Sequence, residues 1–167
     1  MSLLRVRPTR GFYLELKRNI TYLEEGYKLL KMKRDELVKE LRNSLKRLSE
    51  VRKEVDELIE EALKEYFRIY ALLGEEEIKK ALANFIEPYE VKILPVSVMG
   101  VYTPRILSVK KPNIEGKYTP PLQSLANKFL KLLEKLLEVA ELEARIDSVS
   151  SDLEHTNRTV NSLEKII

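Results

Sequence analysis

Cysteine and tryptophan are absent from this sequence, and glycine supplies only 5 of its 167 residues. Without cysteine there is no disulfide and no thiolate metal site. With so little glycine there is no Gly-rich phosphate loop. Proline occurs 7 times in the chain but not once between Gly11 and Gly74. No stretch of about eighteen uncharged apolar residues exists, so no membrane-spanning helix is expected. The first ten residues carry Arg5, Arg7 and Arg10, and no apolar core follows them, so they do not read as a secretory signal. Histidine appears only at His155, which has no second histidine or cysteine to share a metal with and reads as a solvated surface residue. Carboxylates abound, but they recur on helix faces beside Lys and Arg, the pattern of solvated faces with i,i+4 pairs. No acid/base or nucleophile set converges, so no catalytic site and no cofactor are expected.

What remains is a Lys-, Glu- and Leu-rich chain, 34 % charged and 7 % aromatic. That composition suits long solvated helices better than a thick globular core. Net charge is only +3, yet it is unevenly spread. Residues 1–34 hold nine Lys/Arg against three Glu, whereas the stretch from Leu122 onward holds six bases and eight acids. A basic end can serve a nucleic acid or an acidic protein surface. The favoured reading is a helix end whose charges meet solvent or a protein partner, with no nucleic acid.

Apolar residues recur at Leu16, Ile20, Leu23, Tyr27, Leu30, Leu37, Leu41, Leu48, Val51, Val55, Leu58, Ala62, Ile69 and Leu72. The alternating spacing of four and three is a heptad register sustained for roughly eight heptads. Only Arg34, Ser44 and Glu65 interrupt it. Arg34 at a seam position either fixes register or reaches an outside partner. Gly26 costs such a helix about 1 kcal/mol relative to Ala, which close approach of another backbone or plain tolerance can explain. Val38, Leu45, Ile59 and Tyr66 widen the apolar stripe on one flank, as if a third element packs there. A helix of this length reaches about 90 Å and must project from any small domain.

Gly74 followed by Glu75, Glu76 and Glu77 predicts a helix stop and the acidic first turn of a short helix running to about Phe85. The β-branched run Val91–Tyr102, continued by Pro104 and Ile106–Val109, predicts a short hairpin whose two prolines bar a central-strand position. A loop over 110–121 ends on Thr119, Pro120 and Pro121, a helix start. The last helix then carries two heptad frames. One runs Leu122, Leu125, Phe129, Leu132, Leu136, Val139, and the other begins at Leu142 and passes through Ile146, Val149, Leu153, Thr156, Val160 and Leu163. The junction after Val139 reads as a stammer. The expected fold is mainly α: a long antiparallel two-helix coiled coil with a small inserted head of short helix and β-hairpin. Residues 1–74 and 119–167 form the shaft and 75–118 the head. The alternative, in which each helix pairs with another chain, is disfavoured by the turn signals that close the insert.

Three stretches go beyond periodicity. The first is Val6-Arg7-Pro8-Thr9-Arg10 with Leu14-Glu15-Leu16-Lys17 and the run Gly26–Leu37. The second is Thr156-Asn157-Arg158-Thr159-Val160-Asn161-Ser162-Leu163-Glu164, and the third is Val98–Ile106. Together they resemble the D subunit of the archaeal A-type and vacuolar-type rotary ATPases, over nearly the whole chain. Leu23 stands where that family often has Ala, and Thr159 where it has a second Arg. The family's last helix also continues past the Val-Asn-x-Leu-Glu motif, whereas this sequence reaches Ile167.

The resemblance implies a non-catalytic central rotor shaft, cytoplasmic and peripheral to the membrane, that transmits torque between the catalytic ring and the ion-translocating rotor. It implies as partners a small F subunit, the catalytic A and B subunits, and the C (or d) subunit of the rotor. On that basis Val38, Leu45, Ile59, Tyr66, Val98, Met99, Gly100, Val101 and Tyr102 are the candidate partner-binding residues. Arg5, Arg10, Lys17 and Arg18 are the candidate bearing against the catalytic ring. A free-standing coiled-coil adaptor is the competing reading.

Overall fold

A computed structural model describes residues 9–83, 88–114 and 116–166. Arg5 and the expected end of the short helix at Phe85 lie outside the described residues. Helix α1 spans Arg10–Leu73, helix α2 Glu75–Ala83, strand β1 Glu90–Val98, strand β2 Val101–Lys110 and helix α3 Pro120–Glu164. The 64 residues of α1 extend about 95 Å and the 45 of α3 about 70 Å.

Each boundary has a local cause. Thr9 caps α1, its Oγ1 accepting from the Phe12 N–H at 3.3 Å. Gly74 ends α1 with φ 78° and donates its N–H to the Tyr70 carbonyl. That left-handed backbone is open to glycine at little cost. The acidic triplet Glu75–Glu77 opens α2, where carboxylates favour the helix dipole. Pro120 starts α3 after Thr119, because a missing N–H costs nothing in a first turn.

α1 and α3 pack side by side and antiparallel in three successive clusters. Leu37 meets Val149 with Leu41 and Leu153 beside them. Val51, Val55 and Ala62 meet Leu132 with Leu58, Val139 and Leu142. Ile69 meets Leu125, with Ile78 of α2 closing that end. The intramolecular fold-back is thus the observed arrangement.

Two expectations are corrected. The stammer in α3 does not occur. Leu125, Leu132, Val139, Ile146, Leu153 and Val160 form one uninterrupted heptad row, all buried or half-buried. The companion row is Leu142, Val149, Thr156 and Leu163, and it continues backward through Lys135 and Lys128. Those two lysines stand at seam positions because α1 supplies acids there: Lys135 reaches Glu54 at 2.7 Å and Lys128 approaches Glu65 at 3.8 Å. Apolar bias alone assigns the seam to Phe129 and Leu136, which are both exposed. The polar interruption Glu65 in α1 therefore matches a polar interruption in α3. Leu72 is also no seam residue. It is exposed, and Leu73 packs on the end cluster in its place, where α1 stops and the chain turns into α2.

The hairpin does not cap the shaft but lies along it. β1 and β2 pair antiparallel through the two-residue turn Met99-Gly100, both with positive φ (52° and 81°). That is the turn geometry that suits the right-handed twist of two strands. Pro95 stands opposite Pro104, so one rung of the ribbon has no N–H on either strand. A bulge places Leu107 as an extra residue between the Ile93–Ile106 and Lys92–Ser108 pairs. Near the tip Val101 and Thr103 are buried, whereas nearer the base Ile106 and Val109 are half-buried. The inward face thus changes from one side of the ribbon to the other, as twist and bulge require. Val101 joins the Leu37–Val149 cluster, and the Ile106 N–H donates to Glu141 of α3 at 2.9 Å.

Candidate interaction surfaces

The flanks of the seam differ in chemistry. On one flank of α1, Lys33, Glu40, Arg47 and Glu54 recur every seven residues. Each faces an opposite charge on α3. Lys33 lies 2.7 Å from Asp152, Glu40 3.6 Å from Arg145, Arg47 2.7 Å from Glu138 and Glu54 2.7 Å from Lys135. The base of the hairpin covers the middle of this row, where Ile106 and Val109 share an open cleft with Arg47, Glu138 and Arg145. Hydrogen bonding to Glu138 raises the Arg47 pKa. Burial pushes the Glu138 carboxyl up, but the bonds from Arg47 and Lys135 outweigh it and leave the group below its ordinary value.

The other flank is apolar and uncovered. Val38, Leu45, Arg52, Ile59 and Tyr66 form its row on α1, and Phe129, Leu136 and Glu143 form the matching row on α3, again at sevens. Arg52 reaches Glu143 at 2.6 Å, which sets the two rows side by side. Leu45 is 47 % exposed and Ile59 36 %, while Val38 and Tyr66 are half-buried. Leu63 and Leu133 extend the exposed apolar face. At its far end Tyr66 and Phe129 line a cleft of about 320 Å³ against Ile78 and Leu82 of α2. Sequence reasoning names the α1 half of this surface and misses the α3 half, because it assigns Phe129 and Leu136 to the seam.

The hairpin residues divide. Met99, Gly100 and Tyr102 are exposed, Tyr102 by 75 %, and Val98 is half-buried. Val101 is consumed inside the fold, where it anchors the hairpin tip to Leu37 and Val149. The tip and the apolar flank are separate surfaces, one on β1–β2 and one on α1–α3. At the base of the hairpin Lys111 pairs with Glu134, and burial raises the pKa of the adjacent Tyr89 phenol.

The start of α1 runs past the described end of α3. Leu16, Ile20 and Leu23 continue the seam but are 43 %, 51 % and 40 % exposed. Arg10, Lys17 and Arg18 are exposed there, and none has an ion-pair partner among the described residues. Gly26 has no atom within 4 Å of where a Cβ would stand, so no backbone among the described residues approaches it closely. Arg34 turns to its neighbour Asp35, with two hydrogen bonds of 3.0 and 2.8 Å to Oδ1, rather than across the seam.

Among the described residues no group of acidic or histidine side chains could hold a metal ion, and no helix is long and apolar enough to cross a membrane. Comparison with known proteins gives one consistent result. A family model for the D subunit of ATP synthase matches residues 13–167. The D subunit of the A-type ATP synthase of Methanosarcina acetivorans is 34 % identical over 166 residues, covering 95 % of this chain and 79 % of the relative. The D subunit of the V-type ATP synthase of Clostridium novyi is 32 % identical over 98 % of this chain and 80 % of its own length. Its A-type counterpart in Methanococcoides burtonii is likewise 32 % identical, covering 98 % of this chain and 83 % of the relative. With the family model spanning both long helices and the hairpin between them, the chain belongs to the family of ATP synthase D subunits.

Proposed function

We propose that the chain is the non-catalytic central shaft of a rotary ATPase, carrying torque between a catalytic A/B ring and a membrane rotor during ATP synthesis or ATP-driven ion transport. The observation that carries this reading is the shaft itself. α1 is a single proline-free helix of 64 residues, braced along much of its length by α3 through three apolar clusters and a row of ion pairs. A transmitter of torque has to resist bending and twisting, and a supercoiled pair does so better than a lone helix.

On this reading the apolar flank receives the small F subunit. Two parallel rows centred on Ile59, Tyr66, Phe129 and Leu136 form a groove suited to the apolar face of an incoming helix. Val38 and Leu45 extend it, and the exposed hairpin residues Met99, Gly100 and Tyr102, with Val98 behind them, offer a second contact. Arg10, Lys17 and Arg18, together with Arg5, form the bearing inside the catalytic ring, where long charged side chains make graded, water-mediated contacts that trap no single angle. The far end meets the C (or d) subunit of the rotor. The assembled shaft sits at the cytoplasmic side of the membrane without crossing it.

The test is reconstitution. The chain should co-purify with A, B and F subunits from native membranes, and Ile59→Asp or Tyr66→Asp should weaken its association with F. Unchanged affinity in both variants removes the apolar flank as the F site. Failure to bind an A/B ring removes the shaft reading itself. Arg10→Ala with Lys17→Ala should alter coupling modestly and leave folding intact.

A further inference from the structure

We propose that the alternating charges of Lys33, Glu40, Arg47 and Glu54, set against Asp152, Arg145, Glu138 and Lys135, lock the two shaft helices in one of several heptad-related registers. The apolar seam alone does not choose among them. Its rows on α1 and α3 repeat every seven residues and are broken only at Arg34, Ser44 and Glu65 on α1 and at Lys128, Lys135 and Thr156 on α3, so a slide of seven residues lays most Leu, Val and Ile on Leu, Val and Ile again. The charged flank repeats differently. Its sign alternates along α1 as plus, minus, plus, minus, and along α3 as the complement. Over Lys33–Glu54 of α1 and over Asp152, Arg145 and Glu138 of α3 its period is therefore fourteen residues, twice that of the seam, and Lys135, three residues before Glu138, answers Glu54 from a seam position.

The consequence of a slide can be read off the sequence. Seven residues in one direction set Lys33 against Arg145, Glu40 against Glu138 and Arg47 against Lys131, with only Glu54 finding a cation in Lys128. Seven in the other direction set Glu40 against Asp152 and Arg47 against Arg145, and leave Lys33 opposite Thr159 and Glu54 opposite Leu142. Each exposed pair is weak on its own. The difference between attraction and repulsion is what counts, however, and it accumulates over the rungs. Two of the four rungs are also partly sheltered: Lys33, Asp152, Glu40 and Arg145 keep only 36 %, 28 %, 28 % and 25 % of their side-chain exposure. The hairpin base lies over the central rungs. This device does not depend on what the shaft turns, and it applies to the isolated chain.

The absence of cysteine makes the test direct. Spin labels on Asn43→Cys and Ser124→Cys, both exposed, lie on opposite helices and several turns apart along the axis. A seven-residue slide changes their axial offset by about 10 Å, which double electron–electron resonance resolves. Reversing α1 alone (K33E, E40K, R47E, E54K) leaves net charge unchanged and should move the distance distribution or split it. Reversing α3 as well (D152K, R145E, E138K, K135E) should restore the single native distance and the native melting temperature. A one-sided variant that folds with the native distance and native melting temperature overturns the proposal. Should that variant not fold, K33Q, E40Q, R47Q and E54Q together decide. A second distance population supports the lock, and a single native distance overturns it.

Discussion

Tyr27 of α1 directs its hydroxyl to the Glu164 carboxylate of α3, 3.5 Å away across the shaft. That contact lies at the last full turn of α3 among the described residues, so beyond this level α1 has no companion among those residues. Leu16, Ile20 and Leu23 lie beyond it with their apolar faces in water. A single helix of some fifteen residues is marginal in water without packing. Amide hydrogen exchange should therefore be much faster over residues 12–25 than over 37–62. Equal protection in a proven monomer would mean that something covers the overhang.

Seam residues and surface residues of the same helix should respond differently to truncation. Leu48 is buried at a seam position, whereas Lys46 is exposed. Leu48→Ala removes buried methyl groups and should cost about 2–5 kcal/mol. Lys46→Ala should change stability by less than about 0.5 kcal/mol. Thermal unfolding of both variants checks the register, since comparable losses would place Lys46 rather than Leu48 near the seam.

The α1 pattern is legible in the sequence because nothing competes with it. A proline-free heptad stripe of Leu and Val predicts a long helix, and Gly74 with its acidic triplet predicts where it ends. The hairpin is legible from β-branched residues and its two prolines. What stays hidden is relational. Lys128 and Lys135 look like surface residues until Glu65 and Glu54 are known to face them. Val101 looks like an exposed hairpin tip until the twisted ribbon lays it against Leu37 and Val149. Neither fact follows from local periodicity, since each depends on which turn of one helix meets which element of another.

Met99 holds the left-handed conformation in the hairpin turn, with φ 52°. A residue with a Cβ carries a penalty of roughly 1–2 kcal/mol there, which Asn relieves in part. The Met99 side chain is more than half exposed, so little packing is lost by replacing it. Met99→Asn should raise the melting temperature of the isolated chain. A lower melting temperature would show that the thioether makes a contact worth more than the backbone strain it tolerates.

Acidification should loosen the shaft at the Glu138 rung. Burial favours the neutral carboxyl, but the hydrogen bonds from Arg47 and Lys135 and their positive charge favour the anion, and the balance holds the pKa below its ordinary value. A group whose folded pKa is depressed contributes stability that is fully present above the unfolded pKa, about 4.3 for Glu. That contribution is lost as pH falls through the folded value. The sign is therefore fixed: denaturant midpoints should start to drop as pH falls below about 5 and keep dropping as Glu138 takes up its proton. Glu138→Gln should be less stable than the parent at pH 7, because Arg47 and Lys135 lose their shared anion. The variant's stability should also change less over the same interval. A Glu138→Gln variant with the parent's full acid dependence would locate the titration in other carboxylates of the shaft.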